Sequence, residues 1–233
     1  MRMKNLFTLE EVAFEDVTFP PLLEIKKGEV TFICGKSGHG KSTLLKLLNN
    51  MISADSGKVL YLGNSIENYN PVQLRQEVLF CRQATYLFEG TIYENFNQFY
   101  RYRELPPPSK KEIRHYLDIC AIEFDLDADC NLMSGGERHR IYLAICLSFQ
   151  PKVLLLDEPT SALDDATAHE ALKGIIHHCE EHSIDLIVVS HNTTLTDTFA
   201  HAVIRLENKS CSNQSIAYSV DADTHARLEG NKP

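Results

Sequence analysis

No stretch of this 233-residue chain approaches the run of about eighteen apolar residues that a membrane-spanning helix requires. The N-terminus, Met1 to Glu10, carries two early cations but lacks the apolar core and cleavage site of a secretion signal. The seven cysteines (Cys34, Cys81, Cys120, Cys130, Cys146, Cys179 and Cys211) are odd in number, scattered, and form no C-x-x-C pair. Cys34 and Cys146 sit inside apolar runs, as free thiols of cytosolic proteins commonly do. A basic excess is missing too. The formal net charge of −9 and a pI near 5.6 argue against a nucleic-acid partner, which would call for a basic face. Internal repeats and low-complexity tracts are absent. The reading is a reduced, soluble, cytoplasmic protein, long enough for one compact domain with a sizeable core.

What is present is concentrated first in Gly35-Lys36-Ser37-Gly38-His39-Gly40-Lys41-Ser42. This octapeptide follows a β-prone run, Val30-Thr31-Phe32-Ile33-Cys34, and opens an apolar-periodic segment beginning at Thr43. Strand, glycine-rich turn and helix start in that order make a phosphate-binding loop. The glycines let successive N–H groups converge on one anion, and the helix adds roughly half a positive charge at its N-terminus. Lys41 would reach the β- and γ-phosphates, and the Ser42 hydroxyl would ligate Mg²⁺. A glycine turn before a helix with an incidental lysine is the bland alternative, and the flanking strand and helix weigh against it. The expected ligand is a nucleoside triphosphate.

Along the chain, Phe7 to Ile25 reads as short strands broken at Pro20-Pro21, and Gly57 to Gly63 as a strand bounded by glycines. Pro71 to Glu77 reads as a short helix and Val78 to Cys81 as a buried strand. From Thr91 to about Asp129 the pattern turns helical, interrupted by Pro106-Pro107-Pro108. Ser109 and Glu112 have capping-box spacing for a helix reaching about Cys120. A further helix runs from near Ser134 to Phe149, with Ile141, Ala144, Ile145 and Ser148 on one face, and Pro151 ends it. Val153 to Asp157 and Leu186 to Ser190 are strands around a helix from Asp164 to Glu181. Strands alternating with helices imply a parallel sheet covered on both faces, so the segment from about Arg82 to Asp129 is an insertion into an α/β core. After Glu207 the tail is polar, with one hairpin and a frayed end expected. On that helix from Asp164, His178 and His182 stand four residues apart with His177 beside them. They lack a recognised metal-ligand framework and read as a solvated helix face.

Val153-Leu154-Leu155-Leu156-Asp157-Glu158 is a buried strand ending in two carboxylates. In an open α/β sheet ligands lie beyond the C-terminal strand ends, which places Asp157 to hold Mg²⁺ and Glu158 to act as general base on water.

Met133-Ser134-Gly135-Gly136-Glu137 then closely resembles the signature sequence of the ATP-binding cassette (ABC) ATPases. Leu155 to Asp164 is similar to that family's catalytic strand and D-loop, Gln83 stands at its Q-loop glutamine, and Ser190-His191 at its switch histidine. These elements occur in family order over about Gly28 to Leu206. The resemblance implies an α/β P-loop NTPase fold. A RecA-like parallel sheet core with an N-terminal antiparallel β part spans residues 1–82 and 140–210, an inserted α-helical subdomain spans 83–139, and a polar tail covers 211–233 of a single domain. It further implies that Gly35, Lys36, Ser37, Gly38, His39, Gly40, Lys41, Ser42 and Thr43 bind the phosphates of ATP, and that Ser42, Gln83 and Asp157 surround Mg²⁺. Glu158 activates water, His191 contacts the γ-phosphate, and Asp164 lies at a subunit boundary. Ser134, Gly135, Gly136 and Glu137 would grip the γ-phosphate bound by a second copy, giving an ATP-dependent head-to-tail homodimer.

Departures from the pattern are mild. Met133 replaces the commoner leucine, Glu137 the commoner glutamine, and Asn192 a frequent aspartate. No tyrosine stands upstream of the loop to stack on adenine; Phe14 and Phe19 are the aromatic residues there, and each fits a core position equally well. The resemblance extends to a permease partner docking near Leu87-Phe88, although buried packing suits that pair as well, and so to a location on the inner face of the cell membrane. Cys81-Arg82-Gln83, Leu87-Phe88 and Thr91 to Asn95 are also similar to iron-export ATPases. The competing classes are ABC ATPases of nucleic-acid repair or translation and a nucleotide-dependent scaffold. The chain shows no coiled-coil insertion or zinc module for the first, and Glu158 and His191 count against the second.

Overall fold

The computed structural model describes residues 4–206, so the hairpin expected after Glu207 lies outside the described residues. Ten strands and seven α-helices follow one another along this span. β1 (Asn5–Phe14) pairs antiparallel with β2 (Val17–Thr18), with β3 (Leu22–Lys26) and with β5 (Ser56–Tyr61), which pairs on to β6 (Asn64–Ser65). The second sheet is wholly parallel among its named strands, in the order β10 (Ala202–Arg205), β4 (Thr31–Cys34), β9 (Asp185–Val189), β8 (Val153–Asp157), β7 (Val78–Cys81). The N-terminal region is thus one long central strand with short neighbours, rather than a series of short strands.

The two-residue period of a strand assigns each side chain of the parallel sheet to one of two cores. Phe32, Leu154, Leu156, Leu186 and Val188 face the cluster beneath α3 (Ile92–Tyr102), α4 (Lys110–Ile119), α5 (Gly135–Ser148) and α6 (Asp165–Glu181). Ile33, Val153, Leu155, Ile187 and Val189 face the cluster shared with α1 (Lys41–Leu48), α2 (Pro71–Glu77) and the antiparallel sheet. α7 (Thr193–Phe199) completes the set. A sheet buried on both faces explains why β8 and β9 are apolar almost throughout rather than alternating.

Side-chain caps set the starts of the inserted helices. Ser109 and Glu112 form the expected capping box on α4, and Thr91 with Glu94 makes the same box on α3. Helix stops at Cys120; residues 121–129 are irregular, and Thr91 bridges Asp129.

His178 overturns the solvated-face reading. It is only 3% exposed, turned toward α4, with its ring against Tyr116 and stacked on His182 at 4.0 Å between centroids, whereas His177 and His182 are exposed. The i, i+4 spacing shows only that His178 and His182 share a face, and that face meets another helix. Burial, followed by the neighbouring imidazoles, pulls the His178 pKa down to about 4. The unfolded chain therefore binds the extra proton between about pH 6.5 and about 4, so the contribution of this site is complete above that window and is lost as pH falls through it. Urea midpoints measured at pH 7.5 and pH 5 should drop more for the wild type than for His178→Phe; an equal drop would rule out His178 as a source of acid sensitivity.

Candidate functional site

The segment joining β4 to α1 wraps tightly around the first turn of the helix. Gly40 occupies the N-cap with φ of 82°, a left-handed conformation, and a Cβ there would lie 2.5 Å from Val17 Cγ1. Gly38 has φ of 81° with open space around it, so the loop is close-packed on the β2 side and clear where a ligand would approach. Lys41 Nζ donates to the carbonyls of Gly35 and Lys36 at 2.9 and 3.0 Å. Burial lowers its pKa, opposed by the nearby carboxylates of Glu158 and Asp157. His39 Nδ1 lies 3.0 Å from the Leu206 carbonyl, which ties the loop to the end of β10.

Ser42 follows Lys41 on α1, and its hydroxyl donates to Asp157 Oδ1 at 3.1 Å. Asp157 closes β8 and is buried, which raises its pKa, while the Ser42 hydrogen bond works the other way. A hydroxyl and a carboxylate beside a phosphate-binding loop are the hard oxygen donors that Mg²⁺ takes, and a divalent cation would relieve the cost of that buried charge. The residues present thus fit a Mg²⁺–nucleotide.

Glu158 has φ of 52°, a left-handed backbone unusual outside glycine. Its N–H donates to the Val189 carbonyl at 3.0 Å, which holds the kink against the end of β9. The turn re-aims the side chain out of the strand alternation. Its Oε2 accepts from Gln83 Nε2 at 2.9 Å and its Oε1 lies 2.9 Å from His191 Nε2. The Q-loop position, the strand-end carboxylate and the switch histidine, separated widely in sequence, therefore meet on one carboxylate. Gln83 also lies 3.5 Å from Ser161 Oγ, a neighbour that the motifs did not single out.

The signature segment sits elsewhere. Ser134 is the N-cap of α5: its hydroxyl accepts from Glu137 N at 3.3 Å, and Glu137 Oε2 accepts from Ser134 N at 2.7 Å. This capping box gives glutamate a role at the position where glutamine is commoner, and the paired hydrogen bonds lower the Glu137 pKa. Ser134 and Gly135 are exposed, while Gly136 is buried where a Cβ would come within 2.8 Å of the Ala162 carbonyl. Asp164 caps α6, accepting from Thr167 N at 3.0 Å and from Thr167 Oγ1 at 2.7 Å. Of the two phenylalanines weighed for adenine, Phe19 is 5% exposed and belongs to the core, and Phe14 is half-buried against the same cluster.

A family model described as ABC transporter matches residues 20–161, more than half of the chain. The "Probable iron export ATP-binding protein FetA" of Escherichia coli (strain K12) is 35% identical over 198 residues, covering 84% of this chain and 87% of the relative. The "Phosphonates import ATP-binding protein PhnC" of Wolinella succinogenes is 31% identical over 222 residues, covering 88% and 79%. Among solved structures, the dimeric ATP-binding cassette MJ0796 in a post-hydrolysis state bound to ADP and Pi superposes with a TM-score of 0.74 at 24% identity, over 86% of this chain and 94% of that one. With a phosphate loop, a carboxylate held by glutamine and histidine, and a capped Ser-Gly-Gly helix start all in place, these similarities mean that the chain belongs to the ABC transporter ATP-binding family, whose members are ATPases.

Proposed function

We propose that this chain is the ATP-hydrolysing subunit of a transporter, and that two copies close head to tail around two Mg²⁺–ATP molecules to drive a separate membrane permease. The observation that carries the reading is the division of anion-binding features. The loop lies between β4 and α1, whereas the exposed Ser134-Gly135 start belongs to α5, which packs on α3, α4 and β7. Each would form half of a site, completed by the other copy. The similar cassette with ADP and Pi bound is itself dimeric, which supports this arrangement.

Within each site Lys41 and the loop amides would hold the phosphates, and the adjoining Ser42 and Asp157, with Gln83, would hold Mg²⁺. The cation supplies charge neutralisation at the phosphate oxygens. Glu158 accepts the proton of the attacking water, and Gln83 and His191 orient that carboxylate from opposite oxygens. Thr43, in the first turn of α1, and Asp164, at the start of α6, act at the phosphate and at the boundary between copies. The competing readings lose ground here: a scaffold has no use for a strained, doubly hydrogen-bonded Glu158, and the net charge of −9 disfavours nucleic acid.

No helix among the described residues is long and apolar enough to cross a membrane. In the reading put forward, the permease is a separate chain and this subunit sits on its cytoplasmic side. The docking site we assign is the aromatic surface beside the Gln83 loop. Leu87 is buried, whereas the half-buried Phe88 contacts Tyr86, Phe99 and Tyr102, of which Tyr86 and Tyr102 are 62% and 68% exposed. Phe88→Asp should abolish co-purification with a co-expressed candidate permease that the wild type retains, while ATP affinity stays within about twofold; unchanged co-purification would remove the site from consideration. For the solute, metal-ion export is the reading put forward, on the 35% identity to the iron-export relative. Raised cellular iron after disruption of the gene is its test, and an unchanged iron content would refute it.

A further inference from the structure

We propose that His139 is a positioning residue that fastens the loop carrying Gln83 to the signature helix, and so couples the two ATP sites of the closed dimer. The inference rests on the head-to-tail dimer put forward above. His139 lies five residues past Ser134 in α5 and is 7% exposed. Its Nδ1 sits 2.6 Å from Thr85 Oγ1, while its Nε2 is buried with no hydrogen-bond partner. The ring therefore has one polar contact, and that contact crosses from the signature helix to the segment between β7 and α3. Thr85 is two residues past Gln83, whose amide donates to Glu158 Oε2 at 2.9 Å.

A continuous path results: Ser134, the body of α5, His139, Thr85, Gln83, Glu158. Its first member would touch ATP held by the other copy, and its last activates water at its own site. A phosphate gripped at one site thus bears on the carboxylate of the other through two hydrogen bonds, His139 to Thr85 and Gln83 to Glu158. A path of this kind counts as coupling only where the equilibrium of the linked element responds at both ends, and that response can be measured.

Burial lowers the His139 pKa, so the ring is neutral at neutral pH, and in either tautomer Nδ1 is the atom that meets Thr85. A charged ring would bury a positive charge and leave Nε2–H as an unpaired donor in the core. Asparagine is the conservative test, because its side-chain amide reaches the same distance along the chain as Nδ1. Leucine fills the volume without a polar atom. Thr85→Val removes the partner from the other end at nearly constant shape.

The experiment compares the full-length wild type, His139→Leu, His139→Asn, Thr85→Val and the double variant Thr85→Val/His139→Leu. Steady-state ATPase is measured against ATP concentration, alongside binding of a fluorescent ATP analogue to the dilute protein. His139→Leu should lower kcat about ten- to a hundredfold, the loss that a misplaced catalytic group brings. It should also bring the Hill coefficient toward 1, with nucleotide affinity within about twofold of wild type. Thr85→Val should match it, the double variant should be no worse than either single one, and His139→Asn should recover most of the loss. A wild-type kcat and Hill coefficient in His139→Leu would overturn the proposal. So would equal damage from Asn and Leu, or additive losses in the double variant. Circular dichroism melts of each variant separate misfolding from loss of coupling, and an unstable His139→Leu leaves Thr85→Val to decide. A wild type that hydrolyses ATP without cooperativity would instead refute the dimer reading, so the two failures are distinct.

Discussion

Glu158→Gln should lower kcat for ATP hydrolysis about 10²- to 10⁴-fold, the range general-base catalysis contributes, while leaving ATP affinity near that of the wild type. The expectation follows from geometry. The left-handed backbone at residue 158 turns the carboxylate out of the strand alternation, and Gln83 and His191 each lie 2.9 Å from one of its oxygens. Glutamine keeps the shape but loses the basic oxygen, so binding and hydrolysis should separate. Single-turnover hydrolysis alongside equilibrium binding of a fluorescent ATP analogue checks both halves. A variant within about threefold of the wild-type rate would assign the base elsewhere.

Lys41→Ala should act one step earlier, weakening ATP binding about a hundredfold, as expected when charge-assisted hydrogen bonds to phosphate oxygens are removed. Lys41 is 5% exposed and its amine donates to two carbonyls of its own loop, Gly35 and Lys36, so it is held at the loop and poised to trade those acceptors for phosphate. The same titration reads this loss, and a urea midpoint close to wild type excludes unfolding as its cause. Full ATP affinity in Lys41→Ala would mean that the glycine loop is not the phosphate site.

Much of this architecture is legible in the residues because local chemistry decides it. Ser109 and Glu112 announce the start of α4, and the same three-residue spacing at Thr91/Glu94 and Ser134/Glu137 announces two more helices. The apolar runs of β8 and β9 declare strands buried on both faces. Features that depend on which faces meet are not legible in the same way. The buried position of His178 depends on α4 lying over α6, which no spacing within α6 encodes. Phe19 entered the core because β1 and its neighbours fold over α1, closing off a side chain that a linear reading leaves free to stack on adenine. The contact between Thr85 and His139 joins positions 54 residues apart and belongs to no motif. The positive φ at Glu158 is equally silent in sequence, since glycine is the residue that signals such a turn.

The proposed ATP-closed dimer would give the loop and the signature helix a common purpose, and the mass of the protein in solution tests it. Glu158→Gln should sediment as a dimer in saturating Mg²⁺–ATP and as a monomer in ADP, because in the proposed dimer only the unhydrolysed γ-phosphate would join the loop of one copy to Ser134 and Gly135 of the other. A monomer in saturating ATP, or a dimer indifferent to the nucleotide, would contradict the account.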